Sequence, residues 1–194
     1  MLYIIYPGKR GKDMDLRLFE YINNLAGRYN WLDVVMIFFS SFGYLIGLLA
    51  VAALFLTSHK KRAGIGLLAI STAFLLNRIT KVIVDRPRPF MEKDVEVTLL
   101  IEKSVSPSFP SDQAVIIGAA AVILYQADKR LGIAAFLFAG VAAFSRVFVG
   151  HHYPLDAAAG LLFGTAVASM VTSLWKKYKE NRTMTLPPTR HFPQ

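Results

Sequence analysis

Long apolar blocks, parted by short polar and basic stretches, decide most of what this chain can become. Four or five such blocks follow one another, over about residues 34–57, 63–84, 111–126, 131–150 and 153–175. A bilayer core of roughly 30 Å needs about 20 helical residues, so each block reads as a membrane span. The third is short at its apolar core and must borrow polar residues at one end. The expected fold is all-α, a polytopic transmembrane helical bundle of about five spans. Composition agrees: 54% of residues are hydrophobic and 18% charged, against roughly 25% charged in soluble domains. That excludes a cytosolic globule, a nucleic-acid reader and a secreted disulfide scaffold. The chain has no cysteine, which removes thiol catalysis and a zinc–thiolate site as well.

Residues 15–27 place Leu16, Leu18, Phe19, Ile22 and Leu25 at helical spacing. They predict an N-terminal amphipathic helix that either lies on the membrane surface or packs on the protein itself. The opening apolar run is shorter than the core of a signal peptide. Residues 1–182 are expected to form a single membrane-embedded domain, and the proline-rich tail 183–194 to be disordered. Much of the net charge of +9 lies between the blocks, at His59–Arg62, Lys129, Arg130, Lys176, Lys177, Lys179 and Arg182. Such loops stay on the cytoplasmic side and meet anionic lipid headgroups rather than nucleic acid.

The polar residues inside the spans alternate in position. Asn77, Arg78 and Lys81 fall near the C-terminal end of the second block, and Ser111, Asp112 and Gln113 at the N-terminal end of the third. Ser145 and Arg146 end the fourth; His152 and Asp156 open the fifth. Consecutive spans run in opposite directions, so all four groups meet at a single side of the membrane. The basic loops fall on the other side, which the positive-inside rule makes the cytoplasm. The polar cluster is thus expected to face the extracellular side of a cell membrane. Lys9, Arg10 and Lys12 conflict locally, because a single first span leaves them outside; the later loops are expected to dominate.

The clustered residues have a chemistry in common. Lys81, Arg86, Arg88 and Arg146 gather cations near one membrane face. A guanidinium forks onto two phosphate oxygens, and an ammonium adds a point charge. Ser111 opens a helix, where free backbone N–H groups favour an anion. Gly150 removes a side chain beside His152 and lets backbone approach a ligand. Together they describe a phosphate pocket at the lipid–water boundary; the alternative is arginines that merely snorkel to headgroups. His152 and Asp156, spaced i,i+4, are expected to touch on one helix face. A carboxylate on one imidazole nitrogen leaves the other free to attack. A metal held by His151, His152 and Asp156 is the weaker reading, because adjacent helical histidines diverge and no acidic cluster adds ligands.

These residues fall into motifs. Lys81-x6-Arg88-Pro89, Pro110-Ser111-Asp112-Gln113 and Ser145-Arg146-x5-His152-x3-Asp156 resemble, in order, the three motifs of the type-2 phosphatidic acid phosphatase superfamily. The resemblance implies a helical membrane enzyme that dephosphorylates lipid phosphates with no metal or other cofactor. It implies that Lys81, Arg88, Ser111 and Arg146 bind phosphate, that His152 is the nucleophile and that Asp156 orients it. The short chain and the run from Gly150 to Pro154 look most similar to the bacterial undecaprenyl pyrophosphate phosphatases, which recycle the cell-wall lipid carrier. A broader monophosphatase acting on phosphatidic acid or phosphatidylglycerol phosphate, and a non-catalytic lipid-phosphate binder, are the alternatives.

The second motif departs from the family. Asp112 stands where many members have glycine, and Gln113 where they have the histidine that serves as general acid. A glutamine amide donates a hydrogen bond but cannot transfer a proton near neutral pH. An engineered change, a natural enzyme with an undemanding leaving group and a degenerate binder all fit this departure. The segment 90–110, with Glu92, Asp94, Glu96 and Glu102, is expected to cover the site as a flap.

Overall fold

The computed structural model describes residues 9–184, with side chains from 14 to 182; the opening run and the tail from 185 onward lie outside the described residues. Six α-helices follow one another: α1 Lys9–Asn23, α2 Asn30–Ala53, α3 Lys60–Val84, α4 Asp112–Ala127, α5 Lys129–Phe148 and α6 Pro154–Met184. Four of them (α2, α3, α5 and α6) are long and apolar enough to cross a bilayer, and α4 is a shorter apolar helix. The protein is an all-helical transmembrane bundle, as the block pattern predicts.

The bundle is built around α4. From Ala114 to Leu124 every residue of that helix except Ile116 is buried, because α2, α3, α5 and α6 all pack on it. This explains the short third block. A helix sheathed by other helices does not need a full apolar span, and a polar residue at its end such as Asp112 finds protein partners. The outer helices turn large side chains such as Leu49, Leu75, Leu137 and Leu162 outward, where acyl chains receive them. Small residues face inward. Lipid gives no hydrophobic drive between helices, so close backbone approach must supply the contact. A Cβ on Gly160 of α6 would lie 2.7 Å from the carbonyl oxygen of Ser111, and one on Gly164 would run into that of Val115. These two glycines let α6 press on the start of α4, and so place Ser111.

Helix ends differ from the block boundaries for local reasons. α6 continues to Met184, past the expected end of the fifth block at 175 and the domain edge at 182. Its 31 residues make about 46 Å at 1.5 Å per residue, longer than a bilayer core. Hydropathy stops where the membrane stops, whereas Lys, Glu and Arg continue a helix into water. α5 ends at Phe148, two residues short of the fourth block, because Gly150 takes a φ of +86° that reverses the chain. α1 settles the two readings of the N-terminal helix. It packs on the protein, with Phe19 fully buried and edge-on to Tyr153 at 5.5 Å between ring centroids. Asn23 ties its end to the carbonyl oxygens of Thr98 and Phe148 at 2.9 and 2.8 Å.

Candidate active site

The C-terminal ends of α3 and α5 and the N-terminal ends of α4 and α6 meet at one end of the bundle, as the alternation of polar residues predicts. The path from α3 to α4 closes over them. Asp85 ends α3 in the left-handed region at φ 43°, and the prolines around Arg88 stop the α-helix, leaving one 3-10 turn at Pro89–Met91. The irregular chain then lies across the site. Ser108 N–H donates to the Arg86 carbonyl at 2.7 Å, and Leu100 N–H to that of Val149 at 3.4 Å. The expected flap is a cover pinned to the ends of α3 and α5.

Under this cover Lys81, Arg88 and Arg146 are only 2–3% exposed. Buried charge is costly unless hydrogen-bonded or paired, and each cation is held. Lys81 Nζ donates to the Pro107 carbonyl at 2.9 Å and pairs with Asp112 at 3.1 Å. Arg88 Nε donates to the Ser106 carbonyl and Nη1 to that of His151, both at 2.9 Å. Arg146 Nη1 reaches Ser40 of α2, at 3.0 Å to its carbonyl and 2.6 Å to its hydroxyl. Guanidinium groups pinned to carbonyls are not snorkelling to headgroups. Among the described residues four buried side-chain atoms lack a hydrogen-bond partner: Asn77 Oδ1, His151 Nδ1, Arg146 Nε and Ser111 Oγ; the last two are a donor on a cation and a hydroxyl that opens a helix. Ser111 is the N-cap of α4, yet its hydroxyl does not cap its own helix. An anion with several acceptor oxygens satisfies both atoms.

His152 lies in the turn before α6, not on the helix. Its ring is 2% exposed. Nε2 faces Arg88 Nη1 at 3.1 Å, and a guanidinium has no lone pair to offer. Nε2 is therefore the acceptor and, in the neutral ring, the proton sits on Nδ1. Burial first, then Arg146 and Arg88, pushes the imidazole well below its ordinary range, so the ring is neutral near pH 7. The expected direct contact with Asp156 is corrected by the structure: Nδ1 is 3.8 Å from the nearer carboxylate oxygen, beyond a hydrogen bond. Ser108 stands between them, its Oγ 3.2 Å from Nδ1 and hydrogen-bonded to Asp156 Oδ2. The i,i+4 rule fails here because it presumes a helix that begins only at Pro154. Asp156 also accepts from Arg86 Nη1 at 2.7 Å and from the Tyr153 N–H at 3.0 Å.

The remaining sequence candidates divide. Asp112 binds Lys81, and also Asn77 at 2.6 Å, so the aspartate in the second motif neutralises a buried cation. Gln113, half-buried beside it, makes no hydrogen bond with its side chain and is free to meet a ligand. Gly150 borders the cover segment. A Cβ there would lie 2.8 Å from Val97 Cγ1 and 3.1 Å from the Thr98 carbonyl oxygen, so this glycine serves the turn and the cover. His151 points away from His152, with Nε2 on the Ile101 carbonyl at 2.9 Å; burial and Arg146 push it down to about 3. The two histidines do not converge on a metal. Ser108, Ser40 and Asp15 escaped the sequence reading. Asp15 of α1 holds Arg86 Nη2 at 2.7 Å, which links the N-terminal helix to the carboxylate of Asp156.

The sequence profile of the PAP2 superfamily matches residues 62–180, from the start of α3 through most of α6. The chain belongs to the PAP2 superfamily. All of the site residues carried by the three motifs lie within the matched stretch. Among its relatives is an undecaprenyl-diphosphatase of Sulfolobus acidocaldarius, 33% identical over 172 residues, covering 86% of this chain and 82% of the relative. The undecaprenyl-diphosphatase BcrC of Bacillus subtilis is 28% identical over 153 residues, covering 77% of this chain and 78% of its own. Among solved structures, LpxE of Aquifex aeolicus superposes with a TM-score of 0.72 at 27% identity, over 89% of this chain and 99% of that one. The chain is thus a multi-pass membrane protein of the PAP2 superfamily, and the relatives it matches are named as phosphatases of this kind.

Proposed function

We propose that this PAP2 protein hydrolyses an isoprenoid diphosphate, undecaprenyl pyrophosphate, to the monophosphate through a phosphohistidine. The observation that carries the reading is His152 Nε2, which faces Arg88 at 3.1 Å in a site that also buries the cations Lys81 and Arg146. Relatives named as undecaprenyl-diphosphatases support the substrate. His152 Nε2 bonds to the terminal phosphorus and the bridging P–O bond breaks, releasing the lipid monophosphate. Arg88 Nη1 turns from Nε2 to a phosphoryl oxygen as the phosphorus arrives. The cations offset the charge on the transferring group, usually the largest catalytic contribution. Water then attacks the phosphohistidine, the P–N bond breaks, and inorganic phosphate leaves with the imidazole restored. Lipid substrate enters sideways from the bilayer, and the site faces the extracellular side, opposite the basic loops. No metal or other cofactor takes part.

Gln113 narrows the substrate further. Cleaving a phosphate monoester expels an alkoxide, which needs a proton in the transition state. Cleaving a diphosphate expels a phosphate monoester, far less basic, which leaves as the anion. A general acid contributes roughly 10²–10⁴-fold, and its loss falls mainly on monoesters. Purified protein in detergent is therefore expected to release phosphate from an isoprenoid diphosphate and hardly any from phosphatidic acid. Gln113→His should raise both rates, with the larger factor on phosphatidic acid. A larger factor on the diphosphate, or no gain from histidine, means that position 113 does not face the leaving group.

A further inference from the structure

We propose that Ser108 is a positioning residue that carries the influence of Asp156 to His152, so that the site works through a His152–Ser108–Asp156 chain rather than a His–Asp pair. The inference rests on His152 as nucleophile. Carboxylate and imidazole stand 3.8 Å apart, and the serine hydroxyl lies between them. Only one assignment of protons satisfies every partner. Asp156 also accepts from Arg86 and the Tyr153 N–H, so it is an acceptor on all sides and Ser108 O–H must donate to it. The Ser108 oxygen then has a lone pair for Nδ1–H of His152. Arg88 Nη1, donating to Nε2, requires the same tautomer from the other side of the ring.

This arrangement has a function in each half of the reaction. Before attack it holds the proton on Nδ1 and the lone pair on Nε2. When Nε2 bonds to phosphorus the ring becomes cationic, with the proton still on Nδ1. The Ser108 dipole, polarised by the Asp156 carboxylate, faces that charge. No proton needs to leave Nδ1, so the step balances without another base. Ser108 is fully buried, and its backbone N–H is bonded to the Arg86 carbonyl at 2.7 Å. The same Arg86 donates its side chain to Asp156 and, through Nη2, to Asp15 of α1. Serine and carboxylate are thus registered by one arginine, and that arginine by the N-terminal helix.

The test uses the full chain in detergent. Ser108→Ala, Asp156→Asn, their double variant and His152→Ala are compared for kcat and KM on an isoprenoid diphosphate. ¹⁵N-histidine spectra report the tautomer of His152, assigned by its loss in His152→Ala. Ser108→Ala is expected to lower kcat by roughly 10–100-fold, the usual weight of an orienting partner, with KM nearly unchanged. The His152 Nδ1–H signal should shift because its acceptor is lost, while Arg88 still holds Nε2 as the acceptor. The double variant should be no slower than the slower single variant, because links of one chain do not add. Parent-like kcat in Ser108→Ala beside a crippled Asp156→Asn overturns the chain and means that Asp156 reaches the ring directly; multiplicative losses in the double variant overturn it too. An active His152→Ala instead refutes the nucleophile, a failure distinct from that of Ser108.

Discussion

At one end of the bundle Lys81, Arg88 and Arg146 are almost completely buried, each bonded to carbonyl or carboxylate oxygens. At the other end Lys61, Arg62, Lys176 and Lys179 are exposed and line an open groove of about 1020 Å³ with Trp175 and Tyr178. Both ends are basic, and the formal charge alone does not tell them apart. Their energetics do. Exposed lysines cost little to place and are screened by salt. Desolvated cations cost several kcal/mol each by typical magnitudes, more so beside lipid. A site that keeps three of them needs what they attract. The difference supports the proposal that the first end receives an anion, whereas the exposed cations of the second suit the membrane interface.

The sharpest way to break this comparison is topological. Single cysteines introduced into a chain that has none give an unambiguous label. In intact cells an impermeant reagent should modify cysteine at Glu96 or Glu102 fully, and cysteine at Lys61 or Lys129 not at all. The reverse pattern, or labelling of all four, contradicts an outward-facing site.

Charge removal comes next. Arg146→Gln is expected to lower kcat/KM by roughly 10²–10³-fold, the usual cost of one preorganised donor to transition-state charge. Lys61→Gln and Lys177→Gln should stay close to the parent on detergent-solubilised substrate. Equal losses at the two ends would erase the distinction.

The smallest effect is one of pH. Burial and the neighbouring arginines hold the His152 imidazole below its ordinary value. The neutral, attacking form then persists as pH falls through 6.5, and is lost only when pH passes the lowered value. ¹⁵N-histidine spectra of the ligand-free protein should show a neutral His152 at pH 6; a midpoint at or above 6.5 would mean that the ring is solvated or faces an anion.

Much of this site was legible because its parts obey separate rules that agree. Apolar blocks give the number of spans, alternation of direction brings Lys81, Ser111, Arg146 and His152 to one end, and the spacing of the motifs points to the same residues. The short third block made sense only once α4 was seen sheathed by its neighbours. Ser108 was not legible. It sits in an aperiodic, proline-flanked stretch, and its role depends on where the cover folds back. Ser40 was hidden for a related reason: one serine in an apolar span carries no signal until Arg146 is seen to reach it. Asp15 lies on an amphipathic helix whose docking face the sequence left open. The direct His152–Asp156 contact was overread, because the spacing assumed a helix that starts two residues later.

The central claim is that His152, held neutral among buried cations, accepts the phosphoryl group. The most direct measurement is to trap it. Protein mixed with isoprenoid diphosphate carrying ³²P in the terminal phosphate is quenched at alkaline pH within a turnover, digested, and its labelled peptide sequenced. The account predicts acid-labile, alkali-stable label on His152 that disappears in His152→Ala. Turnover with no labelled protein at any quench time, or label retained in His152→Ala, would contradict it.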